Sequence, residues 1–143
     1  MGKKRIITKT GGEVSEEVQK KTLRSSKKRV AEGVLYVQST FNNTKLLLTD
    51  PKGGVLAWSS SGSLGFKGAK KGTPFAAGKV AEVLLGKAEG IGIKEVSIVV
   101  KGVGAGRESA IRTFTNKGMD VSMIRDITPV PHNGPKAKKP RRV

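Results

Sequence analysis

The sequence is poor in the residues from which most catalytic and metal sites are built. It contains no cysteine and a single histidine, His132, among 143 residues. The absence of cysteine excludes disulfides and thiolate metal sites, and one histidine without a cysteine or a second histidine beside it does not make a zinc site. Serines are frequent, but no base is placed to activate one. The sequence therefore predicts no catalytic residue, no metal and no cofactor.

Aromatic residues and long apolar runs are also scarce. One Trp, one Tyr and four Phe provide few surfaces on which bases stack, which disfavours a general single-strand binder that depends on stacking. No apolar run approaches the ~20 residues that a membrane-spanning helix needs. The basic start, MGKKRIITKTGG, lacks the apolar segment of a secretory signal. A cytoplasmic protein without a membrane segment is the expectation.

Negative charge is scarce as well, and this shortage points to the kind of partner. The chain has 28 Lys and Arg against 11 Asp and Glu, a formal net charge of +17. Ten of the basic residues and three Glu fall in residues 1–31, and five basic residues with no acid fall in 132–143. A polyanion offsets the self-repulsion of so basic a chain. Nucleic acid is the commonest such partner, and an anionic membrane surface is the second.

Apolar periodicity predicts a single domain between two basic arms, which is what a chain of this length supports. The predicted boundaries are an N-terminal arm over residues 1–32, a globular domain over 33–128 and a C-terminal tail over 129–143. The N-terminal arm is polar and is expected to be disordered when free, with one short helix over 13–23 that needs a partner surface. Prolines hold the tail extended as it leaves the domain.

Within the domain the predicted order of elements is β-β-β-α-β-α-β, an α/β fold with a mixed five-stranded sheet and helices packed on it. Thr73 and Pro74 give the first helix its N-cap and first position, and Gly90 is its predicted terminator. The fourth strand is a nearly continuous apolar run, typical of a central strand covered on both faces. The predicted strands are 34–40, 45–50, 55–60, 95–101 and 119–128, and the second helix is 108–117.

Two glycine-rich connections favour contact with phosphate. The loop SSSGSLGFKGAKKGT (59–73) combines hydroxyls, flexible glycines and three lysines; its alternative is a solvated surface loop. The turn GVGAGRESAIRT (102–113) exposes backbone N–H groups ahead of a helix, which favours an anion. That turn lacks both the G-x-G-x-x-G fingerprint and the P-loop motif, and its alternative is a tight strand-to-helix connection. Asn42-Asn43-Thr44 is, by itself, compatible with ordinary hairpin-turn chemistry.

Four segments occur in a distinctive order: TFNNT (40–44), WSSSGSLGFKGAKKGTPFAA (58–77), VKGVGAGRESAIR (100–112) and DITPVPHNG (126–134). Together they resemble the eleventh small-subunit ribosomal protein, the S-eleven family, and the Pro-His-Asn-Gly ending is similar to its bacterial and organellar branch. The resemblance is colinear from about Gly33 to the C-terminus. The residues after Gly134 and the longer arm before Gly33 depart from the usual family pattern.

The resemblance implies a structural protein of the 30S platform that binds the central domain of 16S rRNA and helps position the mRNA exit-side region. It implies the proteins S-six and S-eighteen as neighbours and S-seven as a contact near the mRNA. Carried over by position, it also implies a set of RNA-contacting residues. These are Asn42, Asn43, Thr44, Ser60, Ser61, Lys67, Lys70, Lys71, Gly104, Gly106, Arg107, Arg112, His132, Asn133, Lys136, Lys138, Lys139, Arg141 and Arg142.

Two other classes stay open at the level of sequence. One is a nucleotide-binding RNA-processing enzyme whose glycine turn holds a nucleotide, although the fingerprint and a catalytic cluster are missing. The other is a charge-driven protein that coats nucleic acid or a membrane surface without RNA preference. In the ribosomal interpretation His132 donates to an RNA group or stacks locally. The pair Asn133-Gly134 also predicts isoaspartate formation, because glycine does not hinder attack of its backbone nitrogen on the Asn carboxamide.

Overall fold

The computed structural model describes residues 30–136 together with 138 and 139. Most of the predicted N-terminal arm, its helix over 13–23, and the predicted contacts Arg141 and Arg142 lie outside these residues. Within them the chain follows the predicted order β-β-β-α-β-α-β. The strands are β1 Glu32–Ser39, β2 Thr44–Thr49, β3 Val55–Ser60, β4 Glu95–Lys101 and β5 Asp120–Asp126; the helices are α1 Pro74–Ile91 and α2 Gly106–Asn116, and a 3-10 turn occupies Gly68–Gly72.

The strands form one mixed sheet in the order β3-β2-β1-β4-β5, which confirms the predicted α/β fold. β1 pairs antiparallel with β2 and β2 antiparallel with β3, as in a meander. β4 is parallel to both β1 and β5. The chain crosses from β3 to β4 through α1 and from β4 to β5 through α2, in the same direction across the sheet. Because such crossovers are right-handed, both helices lie on one face.

The hydrophobic core lies between this face and the two helices. Alternate strand residues point into it, among them Leu35, Leu46 and Ile98, each fully or almost fully buried. Phe114 of α2 is its largest fully buried side chain. Burying one such side chain contributes roughly 1.5–3 kcal/mol. From α1 the buried residues recur at helical spacing: Ala77, Val80, Ala81, Leu84 and Ala88.

The expectation that β4 is covered on both faces is wrong. Val96, Ile98 and Val100 are buried, whereas Ser97 and Val99, which point to the other side, are partly exposed. The cause is topological, since both crossovers place their helices on the same side of the sheet. We call the uncovered side of the sheet the open face.

The first helix begins as predicted but ends later. The Thr73 side chain accepts a hydrogen bond from the N–H of Ala76 at 3.3 Å, and Pro74 occupies the first position. Gly90, the predicted terminator, lies inside the helix. Gly92 instead caps it with a left-handed φ of 93°, a conformation that glycine adopts without steric cost.

Candidate nucleic-acid interface

Three connections meet at one end of the sheet, which we call the tip end. They are the β1–β2 hairpin tip (residues 40–43), the loop between β3 and α1 (61–72) and the turn between β4 and α2 (102–105). Backbone hydrogen bonds tie the second and third to the hairpin: Ser61 N donates to Thr44 O at 3.0 Å, and Gly104 N donates to Ser39 O at 3.2 Å. The connections that sequence reasoning singled out therefore form one continuous surface.

Glycine permits this close approach at two points. A Cβ at position 72 would collide with the backbone carbonyl of Phe41, and a Cβ at position 104 would collide with the carbonyl of Thr40. Backbone atoms cannot move aside as a flexible side chain can. Gly72 and Gly104 thus let the loop and the turn pack directly on the hairpin tip.

The hairpin tip is closed by hydrogen bonds between Thr40 and Asn43. Thr40 N donates to Asn43 O at 2.8 Å, and Asn43 N donates to Thr40 Oγ1 at 3.1 Å. Asn43 Oδ1 is buried and has no hydrogen-bond partner among the described residues. Asn42 and Phe41 are exposed, so the tip offers one amide and one aromatic ring to a partner.

The predicted lysines of the loop are available to a partner. Lys67 and Lys70 are exposed and Lys71 is partly exposed, and residues 59–73 contain no acid. The loop is anchored at its end, where Thr73 Oγ1 donates to Lys70 O at 2.7 Å. This geometry presents positive charge from an anchored backbone, as phosphate contacts require.

Three predicted contacts, Thr44, Ser60 and Ser61, are instead buried. Thr44 Oγ1 lies 3.4 Å from Ser39 Oγ, and Ser61 Oγ donates to Thr44 O at 3.4 Å. Ser60 Oγ accepts from Ser63 N at 3.2 Å. The Ser61 hydroxyl ties the loop to the hairpin, Thr44 links β2 to β1, and Ser60 holds the first turn of the loop, so all three act as positioning residues.

The guanidinium of Arg107 forms hydrogen bonds with other groups of the protein itself. Its Nη1 donates to Gly102 O at 2.6 Å and its Nη2 to Asp126 Oδ2 at 2.5 Å. Thr128 donates to the other carboxylate oxygen from both its hydroxyl, at 2.6 Å, and its backbone N–H, at 2.8 Å. The hydrogen bonds from Thr128, followed by that from Arg107, lower the pKa of Asp126 to about 2. The network fixes the glycine turn to the start of the tail.

Other predicted contacts separate into buried backbone and exposed side chains. Gly104 in the turn and Gly106 at the start of α2 are buried, whereas Arg112 is exposed and lies 3.6 Å from Glu108. An exposed pair of this kind contributes little to stability and leaves the guanidinium available. Asn133 has a left-handed φ of 53°; its conversion to isoaspartate stays a prediction. The predicted tail contacts that the structure describes are exposed: His132, Asn133, Lys136, Lys138 and Lys139.

Sequence reasoning missed the aromatic residues beside the loop. Phe75 is exposed and stands edge-to-face with Phe66, their ring centroids 6.2 Å apart. Lys79 Nζ lies 5.9 Å from the centroid of the Phe75 ring. Exposed rings beside cations suit nucleic acid, whose bases stack and whose phosphates pair. The available signal was Phe75 itself, an apolar residue outside the buried stripe of its helix.

The described residues contain no cluster of three His, Cys, Asp or Glu that would hold a metal ion. No helix in the described part of the chain is both long and apolar enough to cross a bilayer.

Known proteins resemble the chain over most of its length. A family model described as Ribosomal protein S11 matches residues 33–142, a range that includes every predicted contact. Small ribosomal subunit protein uS11 of Treponema pallidum subsp. pallidum is 56% identical over 120 residues, which cover 84% of this chain and 95% of the relative. The protein of the same name from Treponema pallidum (strain Nichols) matches with the same identity and coverage. The chain therefore belongs to the ribosomal protein S11 family.

Proposed function

We propose that this chain binds 16S rRNA at the platform of the small ribosomal subunit, through its tip end and its C-terminal tail. Its family makes it a structural, non-enzymatic constituent of that subunit. One observation carries the proposal: the three predicted contact segments, distant in sequence, meet at the tip end. The tail begins at the same end, where Ile127 N donates to Val100 O at 2.9 Å.

The surface fits an RNA backbone better than a free nucleotide. Lys67, Lys70 and Lys71 offer charge to phosphates, and the exposed amide of Asn42 offers hydrogen bonds to sugars or base edges. Contacts of this kind recognise RNA largely by shape, through phosphates and 2′-hydroxyls. The predicted nucleotide-binding enzyme would need a phosphate cradle, but Gly104 and Gly106 are buried against the hairpin.

The distribution of charge along the strands also supports an RNA contact at the tip end. Glu32, Glu95 and Asp120 are register partners on β1, β4 and β5 and are exposed at the end opposite the tip end. Near the tip end, Lys45 and Lys101 take the corresponding exposed positions on β2 and β4. A polyanion approaching this sheet is drawn to the tip end.

The neighbours belong to the same proposal. In the platform the protein lies beside S-six and S-eighteen, contacts S-seven and helps shape the mRNA exit-side region. Its cellular location is then the ribosome in the cytoplasm. The protein affects translation indirectly, through the geometry of the platform, because the tip end binds RNA and catalyses no reaction on it.

Hydroxyl-radical footprinting of 16S rRNA with the full chain tests the proposal. We expect protection of a defined region of the central domain that survives moderate salt. Protection spread evenly over the RNA would instead support a charge-driven coating protein. Saturable binding of a mononucleotide at micromolar concentration, without a footprint, would support the nucleotide-binding alternative.

A further inference from the structure

The open face carries a row of residues that crosses all five strands. The register aligns Trp58 of β3 with Leu47 of β2, Leu47 with Tyr36 of β1, Tyr36 with Val99 of β4, and Val99 with Arg125 of β5. Trp58 is 59% exposed and Tyr36 is 37% exposed. Because both helices pack on the opposite side, two aromatic side chains stand uncovered on an apolar strip that ends in a cation.

A basic row lies next to this strip, on its tip-end side. It aligns Lys45, Gln38 and Lys101, and all three side chains are exposed. The two rows border a groove of roughly 430 Å³. The described residues that line the groove include both lysines and no acid.

We propose that this groove binds unpaired RNA nucleotides, with bases stacked on Trp58 and Tyr36 and phosphates paired with Lys45 and Lys101. Neighbouring strands lie about 4.8 Å apart, so these aromatic residues, two strands apart, are separated by about 10 Å, with Leu47 between them. This spacing leaves room for one base over each ring. Stacking of this kind accepts any base, since every base has a π face.

Charge favours RNA over a protein as the occupant. The centre of a protein–protein interface is depleted of charged residues, whereas this strip is bordered by Lys45, Lys101 and Arg125. The lysines lie between the aromatic residues and the tip end. An RNA strand leaving the tip end crosses them before it reaches the rings. The inference rests on the proposed function and extends the interface onto the sheet.

Trp58 is the only tryptophan of the chain, so its fluorescence reports directly on the groove. Titration of the full-length protein with an eight-nucleotide oligouridine is expected to quench this fluorescence saturably. Tyr36→Leu should weaken the binding at least about fivefold, the lower end of the loss from one base–aromatic stack. The pair Lys45→Ala with Lys101→Ala should weaken the binding and reduce its salt dependence, because two phosphate contacts are lost. Trp58→Leu should weaken binding in an anisotropy assay with labelled oligouridine, and Trp58→Phe should retain most of it. Circular dichroism verifies the fold of each variant.

A second set of variants separates this inference from the proposed function. Replacing Lys67, Lys70 and Lys71 with Ala should weaken binding of the 16S central domain and leave oligouridine quenching nearly unchanged. Unquenched Trp58 fluorescence at saturating oligouridine, together with intact 16S binding, would overturn the groove assignment alone. The groove assignment would also fail if Trp58 in assembled subunits were shielded by another protein rather than by RNA.

Discussion

Arg107 at the start of α2 and Asp126 at the end of β5 form an ion pair in which Nη2 lies 2.5 Å from Oδ2. The same guanidinium donates to Gly102 O. One side chain therefore joins the glycine turn, the second helix and the last strand at the point where the tail leaves the domain. The tail starts from a fixed position at the tip end.

Removing the guanidinium should release the start of the tail. In Arg107→Ala we expect faster amide hydrogen exchange at Gly102 and Thr128, because Asp126 and the Gly102 carbonyl lose a shared donor. Arg107→Lys should give an intermediate rate, since an ammonium group does not reproduce the planar fork. Arg112→Ala is the matched control, because Arg112 is exposed and pairs only with Glu108 among the described residues. Equal exchange in the Arg107 and Arg112 variants would contradict the anchoring role.

The Asp126 network predicts a dependence of stability on pH. The folded pKa of Asp126 is about 2, below its ordinary value of 3.8. A lowered pKa means that the carboxylate stabilises the folded state fully above the unfolded pKa, and that this contribution is lost as pH falls from about 4 towards 2. The urea midpoint of the wild type should exceed that of Asp126→Asn at pH 6, and the two should converge near pH 2. If the difference between the two urea midpoints did not change with pH, the ionised carboxylate would not be its cause.

Two glycine substitutions should have opposite effects on stability. Gly72→Ala places a methyl group against the Phe41 carbonyl, and overpacking of this kind costs about 1–3 kcal/mol. Gly86→Ala lies on the exposed side of α1 with no atom within 4 Å of the new methyl group. Alanine there should stabilise the protein by about 0.5–1 kcal/mol. Urea unfolding measures both, and a neutral Gly72→Ala would show that the loop is free to move off the hairpin.

The loop lysines should dominate the salt dependence of RNA binding. The plot of log K against log salt has a negative slope. Replacing Lys67, Lys70 and Lys71 with Ala should reduce the magnitude of this slope by about 2 to 3, since each lost phosphate contact removes roughly 0.7–0.9. The matched control replaces three lysines around the opposite end of the sheet: Lys52, Lys94 and Lys117. Both triple variants lose the same charge, so equal slopes would exclude the tip end as the contact surface.

Sequence reasoning predicted the elements well where the signal is local. Thr73 and Pro74 mark the start of α1, and the bounds of β3 and β4 match the predicted segments residue for residue. Sequence reasoning failed where the structure depends on how distant parts of the chain pack together. Whether β4 is covered on one face or two depends on the strand order, which decides whether both right-handed crossovers run in the same direction across the sheet. No single segment of the sequence records that order.

The same distinction applies to the candidate site. The types of residue in the connections indicated phosphate, and the structure brings those connections together. Arg107 differs because its Asp126 partner lies 19 residues away, beyond any local pattern. Ser61 and Thr44 carry hydroxyl groups of the kind that contact RNA, but tertiary packing buries them. Charge and hydroxyl content pointed to this region as the candidate interface, but they did not distinguish exposed side chains from those that hold the loops in place.

The parallel pairing of β1 with β4 makes the two faces of the sheet interdependent. Leu35 lies beside Ile98 in the core, and the next pair, Tyr36 and Val99, lies on the open face. A slip of one residue in β1 would send Tyr36 inward and Leu35 outward. An insertion or deletion in β1 that misplaced the outward aromatic side chain would therefore also destroy the core. Such a variant would not fold, so it would be lost before its ability to bind a partner mattered.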